Sequence, residues 1–143
     1  MYQPPRELTA AEIGELLSRD LVAVLATLGD GFPHLTPIWF VWSEQAFWLT
    51  SYADRPHVAR LRRNPRAALC VQDEGFGTPG AERPNRQVRA HGLVEMAVDS
   101  EARWTEEIDR KYLSEPRSPF TGSAPARVVM RLSPQRLVAL ASG

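Results

Sequence analysis

Short apolar runs separated by turn residues dominate the pattern along the chain. Alternation and β-branched or aromatic enrichment in these runs are typical of strands rather than helices. The pattern predicts strands at residues 21–28, 32–42, 46–51, 67–72 and 86–98, and a last strand made of 127–132 and 137–141. Gly29-Asp30-Gly31 supplies the positive-φ positions of a tight hairpin between the first two strands. Ser133-Pro134 predicts a bend in the last strand.

Three short helices are predicted between the strands. Thr9 and Glu12 have the spacing of a capping box, so the first helix begins at Thr9. Asp54 is the expected N-cap of a second helix that ends at residues 64–65. Asp99 is expected to cap a third helix with an apolar face. Residues 73–85 and 113–126 have no such pattern and are expected to be irregular.

Two prolines interrupt the second strand. Pro33 and Pro37 cannot donate ladder hydrogen bonds, which indicates an edge strand, a bulge or the approach of another group. Six antiparallel strands joined by hairpin turns favour closure into a small barrel, because closure removes exposed edges. The fold class expected is therefore mainly β (α+β): a six-stranded antiparallel split β-barrel with short flanking helices, in a single domain over residues 1–143.

Composition narrows the range of functions. The chain has 143 residues with 17 basic and 17 acidic side chains. This balance argues against a nucleic-acid partner, which requires a basic excess. A single cysteine, Cys70, excludes an intrachain disulfide. No signal peptide or membrane span is recognisable, so we expect a cytoplasmic protein with no membrane partner.

The segment from Leu49 to Pro65 holds the best candidate binding site. Thr50 and Ser51 end a strand, and Arg55, His57 and Arg60 follow at the start of a helix. Hydroxyls, guanidinium groups and the free N–H groups of a helix start suit a terminal phosphate. An exposed basic helix with solvated arginines would show the same spacing, and the spacing alone does not decide between the two.

Gln87 and Arg89 form a second candidate cluster. They lie two apart on a predicted strand and share one face, where they could contact a polar ring and its negative charge. A solvent-facing strand edge is the alternative. His34, His57 and His91 come from separate segments and lack metal-ligand spacing, so no metal site is expected. No nucleotide-loop, nucleophile-elbow or zinc-protease motif occurs.

Three blocks together resemble the flavin-binding split barrels of the pyridoxamine 5′-phosphate oxidase-like family. They read LATLGDGFPHLTPIWFVW, FWLTSYADRPHVARLRRNPRAALCV and RQVRAHGLVEM. The resemblance implies a homodimer with the cofactor at its interface. It implies that the strand Thr36-Pro37-Ile38-Trp39 lines the isoalloxazine ring. It further implies that Thr50-Ser51 and the basic helix start hold the phosphate, and that Gln87 contacts the cofactor.

The chain also departs from the true oxidases. Arg55-Pro56-His57 stands where they resemble S-R-K, and their C-terminal tryptophan and arginine motif is not found. Oxidation of vitamin B6 is therefore not expected. The resemblance implies hydride transfer to or from a small organic molecule with FMN or, alternatively, the deazaflavin coenzyme F-420. No catalytic residue is assigned. The alternative is a non-catalytic protein that binds or stores a flavin or haem-like ligand.

Overall fold

The computed structural model describes residues 4–73, 85–115, 117 and 125–142. Residues 74–84, within the predicted loop 73–85, and most of 116–124, within the predicted irregular stretch 113–126, lie outside the described part. The elements follow in chain order: β1 Arg6–Glu7, α1 Ala10–Ser18, β2 Ala23–Gly29, β3 Phe32–Ile38, β4 Val41–Ser43, β5 Ala46–Tyr52, α2 Pro56–Arg63, β6 Arg66–Asp73, β7 Arg86–Val98, a 3-10 turn Ser100–Ala102, α3 Arg103–Tyr112 and β8 Arg127–Ala141.

The described strands form one antiparallel sheet. Its order is β3-β2-β6-β7-β8-β5-β4, and the two-residue β1 pairs with β8. β3 and β4 stand at opposite ends of this order although only two residues separate them in sequence. The sheet therefore curves back on itself and leaves a split between its ends. This architecture confirms the predicted mainly β split barrel, with six strands of seven or more residues and two short ones.

Burial alternates along the strands, as expected for a sheet with one face in the core. Leu25, Leu69 and Val88 on β2, β6 and β7 are almost fully buried. Leu16 and Leu17 of α1 pack into the same core, as do Val58 and Leu61 of α2. The two helices thus close the barrel with their apolar faces while their charged faces remain outside.

The prediction of one continuous strand over residues 32–42 is wrong in one respect. The structure divides it into β3 and β4, and Trp39 and Phe40 lie between them. Of the three alternatives that its prolines left open, the structure shows the edge strand, because β3 pairs with β2 alone among the described strands. Pro33 and Pro37 therefore leave few ladder bonds unmade.

The predicted bend near Ser133-Pro134 is a β-bulge within a continuous β8. The register between β7 and β8 shifts at His91/Gly92, so that Gln135 has no opposite residue. Gly92 is required here because a Cβ at this position would lie 2.6 Å from the carbonyl oxygen of Ser133. The bulge thus bends the two longest strands together.

The helix starts differ in how well they match the sequence. The capping box of Thr9 and Glu12 is present, and a hydrogen bond joins the Glu12 amide to Thr9 Oγ1 at 3.2 Å. The N-cap of α2 is Arg55, without a side-chain cap bond, and not Asp54. Pro56 fixes the first helical φ, so the helix begins there and Asp54 falls one residue too early. Asp99 accepts hydrogen bonds from the Trp104 and Thr105 amides and so caps α3 across the 3-10 turn.

Candidate functional site

A cavity of about 400 Å³ opens where the end of β3 meets β5, α3 and the start of β8. We call it the split pocket, and its lining residues are Val22, Pro37, Ile38, Trp39, Thr50, Ile108, Arg117 and Arg127. Four residues predicted from the sequence therefore meet in one cavity: Pro37, Ile38, Trp39 and Thr50. Its walls combine apolar side chains with one hydroxyl and two guanidinium groups.

Trp39 is held at the edge of the split pocket by a ring stack. Its indole lies parallel to the Tyr112 ring, with centroids 4.7 Å apart and planes 2° apart. The Tyr112 hydroxyl donates to the Leu21 carbonyl at 2.6 Å and accepts from the Phe40 amide at 3.3 Å. Burial raises the pKa of Tyr112 to about 12, so this phenol stays protonated and keeps both bonds at neutral pH. The stack fixes the break between β3 and β4 against α3.

Two arginines that the sequence did not single out supply the charge of the split pocket. Arg127 is half-buried, its guanidinium lies 4.6 Å from the centroid of the Tyr52 ring, and its Nε is 3.4 Å from Thr105 Oγ1. Arg117 donates from Nε to Asp109 Oδ1 at 3.0 Å. Burial lowers the pKa of Arg127, and the charge of Arg117 lowers it further.

The start of α2 is connected to this cavity through the Tyr52 ring, although no residue of α2 lines it. Ser51 is buried, and the Arg55 guanidinium lies 5.7 Å from the centroid of the same Tyr52 ring. His57 is 8% exposed, and its Nε2 has no hydrogen-bond partner among the described residues. Burial lowers the pKa of His57, with smaller effects from Arg60 and Arg55. Burial therefore favours the neutral form of this imidazole.

Two other predicted residues are turned towards β2. Arg60 donates from Nε to Thr27 Oγ1 at 2.8 Å, and this hydrogen bond connects α2 to β2. Thr36 is half-buried on the inner side of β3, where it pairs with Leu25. Neither lines the split pocket, although Thr36 precedes Pro37 directly.

Gln87 and Arg89 lie elsewhere in the same chain. Arg89 pairs with Cys70 and Val138 and points outward into another cavity, of about 590 Å³. We call the outward side of β2, β3, β6 and β7 the open face, and it carries Val24, Leu28, Leu35, Cys70, Gln87, Arg89 and Leu93. Leu35 is 71% exposed there. Within one chain, the predicted residues thus occupy two separate places.

The arrangement can orient an aromatic ring and bind an anion. The lining of the split pocket contains no carboxylate, histidine or lysine, so this pocket alone offers no neutral-pH acid or base. Among the described residues, no three histidine, cysteine or acidic side chains are grouped as metal ligands would be. No helix in the described part of the chain is both long and apolar enough to cross a membrane.

Solved structures share this fold. An F420 reductase is 26% identical, with a TM-score of 0.68 over 86% of this chain and 93% of that chain. A conserved hypothetical protein, Rv2991 from Mycobacterium tuberculosis, is 25% identical, with a TM-score of 0.75 over 97% and 88%. A FAD-binding protein from Mesorhizobium loti is 21% identical, with a TM-score of 0.71 over 99% and 100%, and this likeness shows the fold alone.

A search of curated proteins finds no match. A family model does match, and its description is pyridoxamine 5′-phosphate oxidase. The match extends over residues 9–141, which include every residue of the split pocket and of the start of α2. The same span contains the three sequence blocks that carry the resemblance. This chain therefore belongs to the pyridoxamine 5′-phosphate oxidase-like family of split-barrel proteins.

Proposed function

We propose that this protein is an oxidoreductase that binds a flavin-type cofactor, FMN or the deazaflavin F-420, in the split pocket. The observation that carries the proposal is the meeting of the Pro37-Ile38-Trp39 segment with Thr50 and two arginines in one cavity. A flat ring system needs an apolar wall and a few polar groups, and a phosphorylated tail needs cations. Both occur here side by side.

The residues present fit such a cofactor. His57 Nε2 is buried without a partner among the described residues, and an unpaired buried polar atom is unfavourable unless a ligand completes it. Thr50 and Ser51 lie near the end of β5, Arg55 is the N-cap of α2, and Arg60 lies about one turn further along this helix. We assign the ring to Thr36, Pro37, Ile38 and Trp39, and the phosphate to the helix start and the β5 hydroxyls. When bound, the cofactor supplies the hydride chemistry, and the protein supplies binding and orientation.

A second copy of the chain completes this proposal. The open face exposes Val24, Leu28 and Leu35, which is a large apolar area for a single chain. Covering it with a partner would bury these side chains and bring the partner subunit's Gln87 and the partner subunit's Arg89 towards an interface. A homodimer thereby explains why the predicted residues lie in two places within one protomer.

Spectroscopy of the untreated protein tests the proposal directly. We expect a bound flavin or deazaflavin absorption band, or micromolar or tighter binding when FMN and F-420 are titrated separately. The 26% identity to an F420 reductase supports keeping F-420 as the alternative to FMN. If a folded dimer binds neither cofactor, the proposal fails.

Turnover separates catalysis from storage. With cofactor bound, stopped-flow mixing with enones and quinones should oxidise or reduce the ring if the protein is an oxidoreductase. Tight binding without any redox change in the ring would instead support a non-catalytic protein that binds a flavin or a haem-like ligand. The small-molecule substrate is to be identified from the same panel.

A further inference from the structure

The Arg127 guanidinium has no direct ion-pair partner in the part of the chain that the structure describes. Among the described residues, no carboxylate lies within ion-pair distance of this guanidinium, whose contacts are the Tyr52 ring and a long bond to Thr105 Oγ1. The side chain is half-buried, so solvent replaces the missing partner only in part. Removing a guanidinium from water without a counter-ion is unfavourable, and an anion in the split pocket would relieve this.

The two acidic side chains around it are engaged elsewhere. Asp99 accepts from the Trp104 amide, the Thr105 amide and the Thr105 hydroxyl. Asp109 is 7% exposed and accepts from Arg117 Nε and Nη2. Asp109 pairs with Arg117, and Asp99 bonds backbone amides and a hydroxyl, so neither carboxylate forms a direct ion pair with Arg127.

The surrounding groups suit an oxyanion. Thr50 places a hydroxyl in the same cavity as Arg117 and Arg127. The Asp109 carboxylate holds Arg117 through two of its nitrogens, so its position is set before a ligand arrives. Guanidinium forks bind phosphate and carboxylate groups through paired hydrogen bonds. Positioned forks beside a hydroxyl form a site for such a group.

We propose that Arg117 and Arg127, with Thr50, bind a phosphate or carboxylate group of the molecule held in the split pocket. The inference rests on the proposed function for the nature of that molecule, but the anion site itself does not depend on a flavin. The group belongs to the substrate if the cofactor phosphate lies at the start of α2, and to the cofactor if that phosphate lies between Arg117 and Arg127 instead. Arg127 is a binding residue here, and Arg117 is the second cation that Asp109 positions.

Titration with inorganic phosphate tests the anion site without any cofactor. In the full-length protein with ¹⁵N-labelled arginine, the Nε–Hε signal of Arg127 should shift saturably with phosphate and not with equal ionic strength of chloride. Arg127→Met keeps the apolar stem against Tyr52 and should weaken binding roughly 10- to 100-fold. Arg63→Met, which removes an exposed arginine on α2, is the matched control and should bind as the wild type does.

Arg127→Lys covers the case in which the methionine variant unfolds. It keeps the charge and loses the fork, so it should bind phosphate with intermediate affinity. Phosphate binding that does not saturate, or that is equal in the wild type and in a folded Arg127 variant, overturns the inference. Failure of FMN and F-420 to bind, with phosphate binding still dependent on Arg127, would overturn the proposed function and leave the anion site standing.

A comparison of FMN with riboflavin identifies the source of the anion. If the group is the cofactor phosphate, the wild type should prefer FMN and Arg127→Met should lose most of that preference. If the group belongs to the substrate, the preference for FMN should persist in Arg127→Met, and inorganic phosphate should still bind to the FMN-loaded wild type. Equal FMN and riboflavin binding, together with no phosphate binding to the loaded protein, would also overturn the inference.

Discussion

Two outward sides of the same sheet differ in whether a helix of the chain covers them. The first, which we call the covered face, consists of Trp48, Thr50, Tyr52, Arg127 and Arg131 on β5 and β8. Helix α3 lies over it, and Trp104 stacks on Trp48 with ring centroids 3.8 Å apart. The second is the open face, where Val24, Leu28 and Leu35 remain exposed. A helix of the same chain thus covers one side, whereas apolar side chains stay exposed on the other.

The difference explains where ligand and partner are expected. On the covered face, α3 packs against β5 through the stack of Trp104 on Trp48, and the split pocket is lined by Ile108 of the same helix. On the open face, no described helix packs over the strands, so an apolar surface remains exposed next to Arg89. We therefore propose that a small molecule binds in the split pocket beside the covered face and that a dimer forms through the open face.

Trp104→Ala should have the largest effect, because it uncovers the covered face. Trp104 is 8% exposed, and removal of a buried tryptophan costs about 3–5 kcal/mol of unfolding free energy. Urea unfolding followed by circular dichroism measures this loss. Glu106→Ala, an exposed change on the same helix, should stay within about 0.5 kcal/mol of the wild type. A loss below about 1 kcal/mol in Trp104→Ala would show that α3 does not hold this face.

Leu35→Asp tests the open face. Placing a carboxylate in an apolar interface, once in each subunit, should weaken the dimer at least about 100-fold, which corresponds to roughly 2.7 kcal/mol. Sedimentation velocity over a dilution series measures the dissociation constant. Phe32→Asp is the matched control, because Phe32 is on the same edge strand and equally exposed, at 71%, but alternates to the other side. Equal effects of the two changes would contradict the assignment.

The sequence predicted best what is local. The capping box at Thr9 depends on residues three apart, and the hairpin at Gly31 depends on a turn with positive φ. Each signal involves only residues close together in sequence, and the structure contains both features. The edge character of β3 was also predictable, because Pro37 removes a donor wherever it stands. The start of α2 was missed by one residue, although its end at Asn64 was predicted. The break at Trp39 was also missed, because it depends on stacking against Tyr112 from a distant helix.

The candidate site was predictable in part for the same reason. Pro37 and Thr50 were found through blocks of contiguous sequence. Arg127 became a candidate only when β5 and β8 paired and placed it opposite Tyr52. Arg117 comes from a stretch without periodic pattern, and its position depends on the ion pair with Asp109. No spacing rule connects these residues, so their place in the site could be recognised only from the tertiary structure.

Tyr112→Phe should have an intermediate effect on the covered side. It leaves the Leu21 carbonyl and the Phe40 amide without their side-chain partner, at a cost of about 1–2 kcal/mol. The folded pKa of about 12 lies above the ordinary value of 10, so this stabilisation is complete below pH 10 and is lost as pH rises towards 12.

Urea unfolding between pH 8 and 11.5 measures this dependence. The difference between the wild type and Tyr112→Phe should narrow at the alkaline end. Trp104→Ala is the control, because it removes no titratable group, and its difference from the wild type should show no such narrowing. A constant difference across the pH range would show that the Tyr112 phenol is not the group responsible.

Cys70 reports the open face with the smallest expected effect. It is the only cysteine of the chain, and it lines the cavity of about 590 Å³ on the open face. Burial within the single chain raises the pKa of its thiol. A second copy would cover it further, so its reaction with a neutral thiol reagent should be roughly tenfold slower in the dimer, equivalent to about 1.4 kcal/mol of protection. The rate should rise on dilution through the dissociation constant. In Leu35→Asp it should be independent of protein concentration, and a concentration-independent rate in the wild type would place the interface away from the open face.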